Sequence, residues 1–167
     1  IQDPRERPAE VRGTADEMHA RFTDDKSDFS SFLLLWQYIN ERQAELSSSQ
    51  LRKMCHREFI NFLRIREWQD LFAQLREMGR TANIRVSNGR DIDASGREVE
   101  IHKSLLSGLL SHVGAKEERE KTYGKAPRGP REYLGARGTK FAIFPGSGLF
   151  KQNPDWVLSA ELVETSR

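Results

Sequence analysis

The sequence predicts an α+β chain, with a helical part to about residue 83 and a small β part from about residue 101. Three observations carry this. Apolar residues recur every three to four positions as far as Met78, the spacing that lines one face of a helix. The stretch GRTANIRVSNGRDIDASGREVE then holds three glycines and few large apolar residues; it reads as a linker or long surface loop over 84–100, with a turn at Asn88–Gly89. Beyond it the period becomes two, and DWVLSAELV places Trp156, Leu158, Ala160 and Leu162 on one face of a strand.

Each element follows in order. Pro4 and Pro8 give an extended opening, because each ring lacks a backbone donor and turns its predecessor away from helical geometry. Thr14 with Glu17 fits a capping box and predicts a short helix to about Phe22. Ser27 is the better placed starting signal in TDDKSD, and in the helix it opens Phe29, Phe32, Leu33, Trp36 and Ile39 share a face. SSS at 47–49 breaks the chain and caps the next helix, where Leu51, Met54, Cys55, Phe59, Phe62 and Leu63 keep the period. Ile65, Trp68, Leu71, Phe72, Leu75 and Met78 extend it past a bend near Asn61. Amphipathic helices with such short connections imply a bundle. IHKSLLSGLLSHVG starts as a helix and passes into a strand near Gly108. AKEEREKTYGKAPRGP, with Pro127 and Pro130, reads as an exposed loop, and REYLGARGTKFAIF carries a glycine-bearing hairpin signal at Ala136–Thr139.

The 27 Lys and Arg against 25 Asp and Glu give a net charge of +2 over 167 residues, too little to argue for nucleic acid or membrane from the whole chain. The distribution says more. From Arg119 to Lys151 there are eight basic residues and two acidic ones, Glu120 and Glu132. A single cysteine, Cys55, excludes an internal disulfide and suggests a reducing compartment. No apolar run approaches the roughly 20 residues of a membrane span, and IQDPRERPAE lacks the basic and apolar regions of a signal peptide. A cytoplasmic location without membrane association is expected.

The motif GSG in KFAIFPGSGLF raises three chemistries. A nucleophile elbow needs G-x-S-x-G on a strand-to-helix turn, whereas Ser147 follows Pro145 and precedes a second strand. A phosphate loop needs G-x-x-x-x-G-K-[ST], which the chain lacks. A turn that ends a strand is the favoured reading. His19, His56, His102, His112 and Cys55 include only one close pair, Cys55–His56, so no zinc site is supported; Cys55 lies on the apolar stripe and reads as a core residue. One constellation stands above this background: cations interleaved with Tyr123, Tyr133, Phe141 and Phe144 among strand signals. Cations attract phosphates and aromatic faces stack bases, a combination that small β-barrels use for single strands. A solvated basic loop beside a core strand accounts for it equally well.

The blocks IQDPRERP, SDFSSFLLLWQYI, CHREFINFLRIREWQDL, IHKSLLSGLLSHVG, YLGARGTKFAIFPGSGLF and DWVLSAELVETSR resemble the C-terminal region, after the motor, of bacterial DEAH-box RNA helicases of the HrpA type. The resemblance covers nearly the whole chain. It implies a helical ratchet (helicase-associated) segment over 1–83 and a partial OB-fold over 101–167. The implied role is RNA binding and coupling beside RecA-like motor domains that translocate 3′ to 5′ on single-stranded RNA, or DNA. ATP and Mg are implied for that motor; no cofactor and no catalytic residue are expected in these residues. Arg131, Arg137, Lys140, Ser147 and Lys151 are the expected phosphate contacts, with Tyr133 as a stacking partner. FPGSG stands where related helicases carry a His-Pro-Ser-Ser-like turn near the RNA path. Phe144 replaces that histidine and Gly146 the first serine, so no base-contacting histidine carries over, while the backbone of Gly146 and Gly148 remains able to approach a phosphate or sugar. The alternative is a protein-interaction module that receives a helicase-activating partner without touching RNA.

Overall fold

The computed structural model describes residues 2–85, 97–118 and 131–164. The Asn88–Gly89 turn, most of the expected linker, and Tyr123, Pro127 and Pro130 of the expected loop lie outside them. The fold is α+β, a helical N-terminal part followed by a small open antiparallel sheet. Two compact units divide the chain, Ile1–Thr23 with Ser31–Asp93, and Asp24–Ser30 with Ala94–Arg167.

In the first unit α1 (Arg12–His19) runs between 3-10 turns at Ala9–Val11 and Ala20–Phe22, and is followed by α2 (Asp28–Glu45), whose residues up to Ser30 belong to the second unit, α3 (Ser48–Arg57) and α4 (Phe62–Thr81). The expected Thr14 cap is not formed. Val11 already donates to Pro8 O at 3.2 Å, so α1 grows out of a preformed turn, Val11 occupies the cap position and Thr14 lies inside the helix. Serine starts the next two helices as the sequence predicts. Ser27 Oγ accepts from Ser30 N at 3.2 Å, and Ser47 forms a reciprocal capping box with Gln50. The bend expected near Asn61 is a full break between α3 and α4, where Phe59 adopts φ 54° and Asn61 Oδ1 accepts from Arg64 N at 3.1 Å to cap α4.

Phe22, Leu35, Ile39, Leu51, Met54, Cys55, Ile60 and Ile65 form the core. Burying each large side chain contributes roughly 1.5–3 kcal/mol. The buried stripe of α2 is Ser31, Leu35 and Ile39; the aromatic residues expected there flank it, with Phe32 edge-on to Trp68 and Trp36 beside Phe72, ring centroids 5.6 and 5.1 Å apart. Of the apolar series on α4 only Ile65 is fully buried, and Leu75 and Met78 are exposed. A helix of 20 residues is about 30 Å long and outruns the core its first turns pack against. Beside that core the Glu58 carboxylate accepts from Tyr38 Oη at 2.9 Å and pairs with Arg21, whose guanidinium lies 4.5 and 4.4 Å from the Phe22 and Tyr38 ring centroids. His19, also buried, sets Nε2 2.9 Å from the Glu58 carbonyl.

In the second unit α5 (Glu98–Gly108) and a 3-10 turn, Leu110–His112, lead to β1 (Val113–Lys116), β2 (Glu132–Gly135), β3 (Lys140–Ala142) and β4 (Trp156–Leu158). The strands are antiparallel in the order β3-β2-β1-β4, leaving β3 and β4 as edges. Register puts Gly114, Tyr133, Phe141 and Val157 on one face, and Ala115, Leu134, Lys140 and Trp156 in a row on the other. The first face is packed. Tyr133 stacks on Phe141 with centroids 6.0 Å apart, and a Cβ at Gly114 would meet the Phe141 ring at 2.5 Å. The shared face expected in DWVLSAELV forms at Trp156 and Leu158 but is cut short and is the open one: Val157 turns inward, Trp156 is 69% exposed, and the strand stops where Ser159 N donates to His112 O. Pairing of Val157 with Gly114 sets this register, and one residue of shift exchanges the faces of a strand.

Candidate nucleic-acid interface

KFAIFPGSGLF leaves β3 with Phe141 and Ile143 partly buried and Lys140, Ala142 and Phe144 exposed, the alternation of an extended strand. Ser147 N then donates to Phe144 O at 2.9 Å, closing a turn, and Leu149 N donates to Ser147 Oγ at 3.1 Å. Gly148 N donates to Asp28 Oδ1 at 3.0 Å, and a Cβ at Gly148 would stand 2.5 Å from the Asp24 carbonyl oxygen. Glycine is required there by close approach. The backbone donor of Gly148 is therefore occupied by a carboxylate, which also disfavours a second anion beside it. A Cβ at Gly146 would meet the Phe144 ring at 2.6 Å.

The expected phosphate contacts divide into two kinds. Arg131, Arg137 and Lys151 are exposed and make no ion pair among the described residues. Arg137 sits at the tip of the β2–β3 hairpin, where it and Gly138 take φ 57° and 75°. Thr139 N to Ala136 O and Gly135 N to Thr139 O, 3.2 and 2.8 Å, hold that turn closed. Lys140, in contrast, donates to both oxygens of Glu117 at 2.6 and 2.9 Å, and this hydrogen bond raises its pKa. Reaching a phosphate means leaving Glu117.

Tyr133 is corrected. It has no exposed surface, its ring stacks on Phe141, its hydroxyl donates to Pro154 O at 2.9 Å, and burial raises its pKa. No ring face is left for a base. Arg119, Lys121, Lys125 and Arg128 of the basic stretch lie outside the described residues. Asp28 and Glu117, which brace the turn and neutralise Lys140, have no local signature in the sequence; Asp28 is 120 residues from its partner. Among the described residues no His, Cys, Asp and Glu side chains gather as a metal site, and no helix is long and apolar enough to cross a membrane.

Residues 101–167 match the family model of the oligonucleotide/oligosaccharide-binding (OB)-fold. All 167 residues align at 48% identity with the ATP-dependent RNA helicase HrpA homolog of Haemophilus influenzae, and at 48% with ATP-dependent RNA helicase HrpA of Escherichia coli. The chain matches HrpA helicases along its full length. It spans 12% of each of those relatives. A less similar relative, the pre-mRNA-splicing factor ATP-dependent RNA helicase prp22 of Schizosaccharomyces pombe, is 27% identical over 96% of the chain and 12% of its own length. The four-stranded sheet falls within the OB-fold match, and so does every expected phosphate contact.

Proposed function

We propose that this region grips single-stranded RNA for an ATP-dependent helicase, as an auxiliary binding and coupling element beside motor domains that lie outside these residues. The observation that carries the reading is the set of exposed cations, Arg131, Arg137 and Lys151, which make no ion pair among the described residues, on an OB-fold segment whose relatives are named RNA helicases. Long basic side chains at a hairpin tip and after a braced turn suit a phosphate backbone. They hold position and leave sequence unread. ATP and magnesium belong to the motor; the residues here supply grip and register.

Binding of a fluorescent single-stranded RNA to the full-length protein, followed by anisotropy without nucleotide, tests this. Affinity falls as salt rises, with a slope of about −0.7 per phosphate neutralised. Arg137→Ala with Lys151→Ala flattens that slope by roughly 1.4 and weakens binding to every sequence alike. An unchanged affinity and slope in this double variant would remove RNA contact from the reading. The outcome would then favour a protein-interaction module, for which a groove of about 410 Å³ lined by Val99, Leu106, Val113 and Trp156 offers an apolar surface.

A further inference from the structure

The turn that brackets Ser147 presents one side chain that the phosphate contacts do not use. Phe144 is 77% exposed. A single exposed apolar residue says little by itself, and three further observations distinguish this one. Its position is built: the Phe144 carbonyl accepts from Ser147 N, Ser147 Oγ accepts from Leu149 N, and Gly148 N is tied to Asp28. Its ring lies against Gly146, where a Cβ would come within 2.6 Å of it, so glycine makes room for the ring. Phe144 also continues the outward row of β3 begun by Lys140 and Ala142, whereas Phe141 and Ile143 are partly buried.

The charges nearby decide which part of a nucleic acid fits. At the Gly148 end of the turn stand Asp28 and the Asp24 carbonyl oxygen; an anionic phosphate is disfavoured there, and a neutral base is not. An exposed aromatic ring on a braced turn binds any base through its π face and has few side-chain rotors to freeze in doing so. We propose that Phe144 is the base-stacking residue of this OB-fold segment, the role expected of Tyr133. The inference rests on the RNA-binding reading above and adds the part of the ligand that is recognised.

The test uses the full-length protein and an RNA of about 12 nucleotides carrying one 5-iodouridine, which photo-crosslinks to stacked aromatic rings. Cleavage after Lys140 and Lys151 releases the peptide FAIFPGSGLFK, and mass spectrometry is expected to place the crosslink on Phe144. Phe144→Ala abolishes that crosslink and weakens binding by roughly five- to a hundred-fold without changing the salt slope, since no charge is lost. Phe144→Trp retains both. Wild-type protein that binds RNA with the expected salt dependence, while Phe144→Ala binds equally well, would overturn the stacking role alone and assign the ring to a protein contact. Failure of the wild type to bind RNA at all would overturn both proposals.

Discussion

Each unit of the chain holds a carboxylate that closes on a cation, and the two pairs behave oppositely because of what surrounds them. Glu58, nearly buried, meets Arg21 and Tyr38 beside the helical core, with the guanidinium against two aromatic rings. Glu117 meets Lys140 on the sheet, with the lysine about half exposed. The two cations are similarly exposed, but water competes weakly for the Glu58 carboxylate, 10% exposed, and more strongly for that of Glu117, 34% exposed. A buried carboxylate shared by two donors fixes geometry, and losing it strands them. A pair in solvent is worth little to the fold and can exchange partners. Chemically similar contacts thus serve as structure in one unit and as an adjustable charge in the other.

Three substitutions or conditions sharpen or break this contrast. The largest effect belongs to Glu58→Ala, which strips Arg21 and the Tyr38 hydroxyl of their shared acceptor. Local stability falls by about 2–3 kcal/mol, below the roughly 3–5 of a fully buried pair because Arg21 is half exposed. Hydrogen exchange at the amides of residues 54–60 reads this as faster opening, and unaltered rates would place Glu58 with the surface pairs. The second effect is pH dependence at His19. Burial is the main cause lowering its pKa from 6.5, with Arg7 and Arg5 adding to it, while the hydrogen bond donated to the Glu58 carbonyl and the charge of Asp3 oppose it. The folded value lies below the unfolded one, so the unfolded chain takes up the proton first. The contribution of His19 is complete above about pH 6.5 and is lost as pH falls through the folded value. Exchange rates corrected for intrinsic pH dependence should rise over that window, and His19→Gln should flatten the rise. The smallest effect is that of Glu117→Gln. It leaves the denaturation midpoint in place and releases Lys140, raising RNA affinity roughly two- to three-fold at low salt; a lower midpoint with no gain in affinity would make the Lys140 pair structural like that of Glu58.

Local chemistry made much of this legible in advance. The serines before α2 and α3 and the glycine-bearing hairpin between β2 and β3 act through neighbours within four residues, and each formed where its signal stands. Helical period identified α2 and α4 but not their buried sides, because aromatic rings at Phe32 and Trp36 gain as much from packing on another helix's rings as from entering the core. Tyr133 shows the limit for the site. Strand alternation alone does not say which face is covered; that depends on the pairing of β2 with β1 and β3, and on Pro154 receiving its hydroxyl. Asp28 and Glu117 act on residues far along the chain, so their roles exist only after folding.

Cys55 has a consequence of another sort. It is the sole thiol of these 167 residues, fully enclosed, and burial pushes its pKa up to about 11. A maleimide therefore finds no target within these residues, and a cysteine set at an exposed position such as Arg137 or Lys151 would carry a dye alone. The core of the helical unit thus leaves the opposite end of the chain chemically addressable, one position at a time.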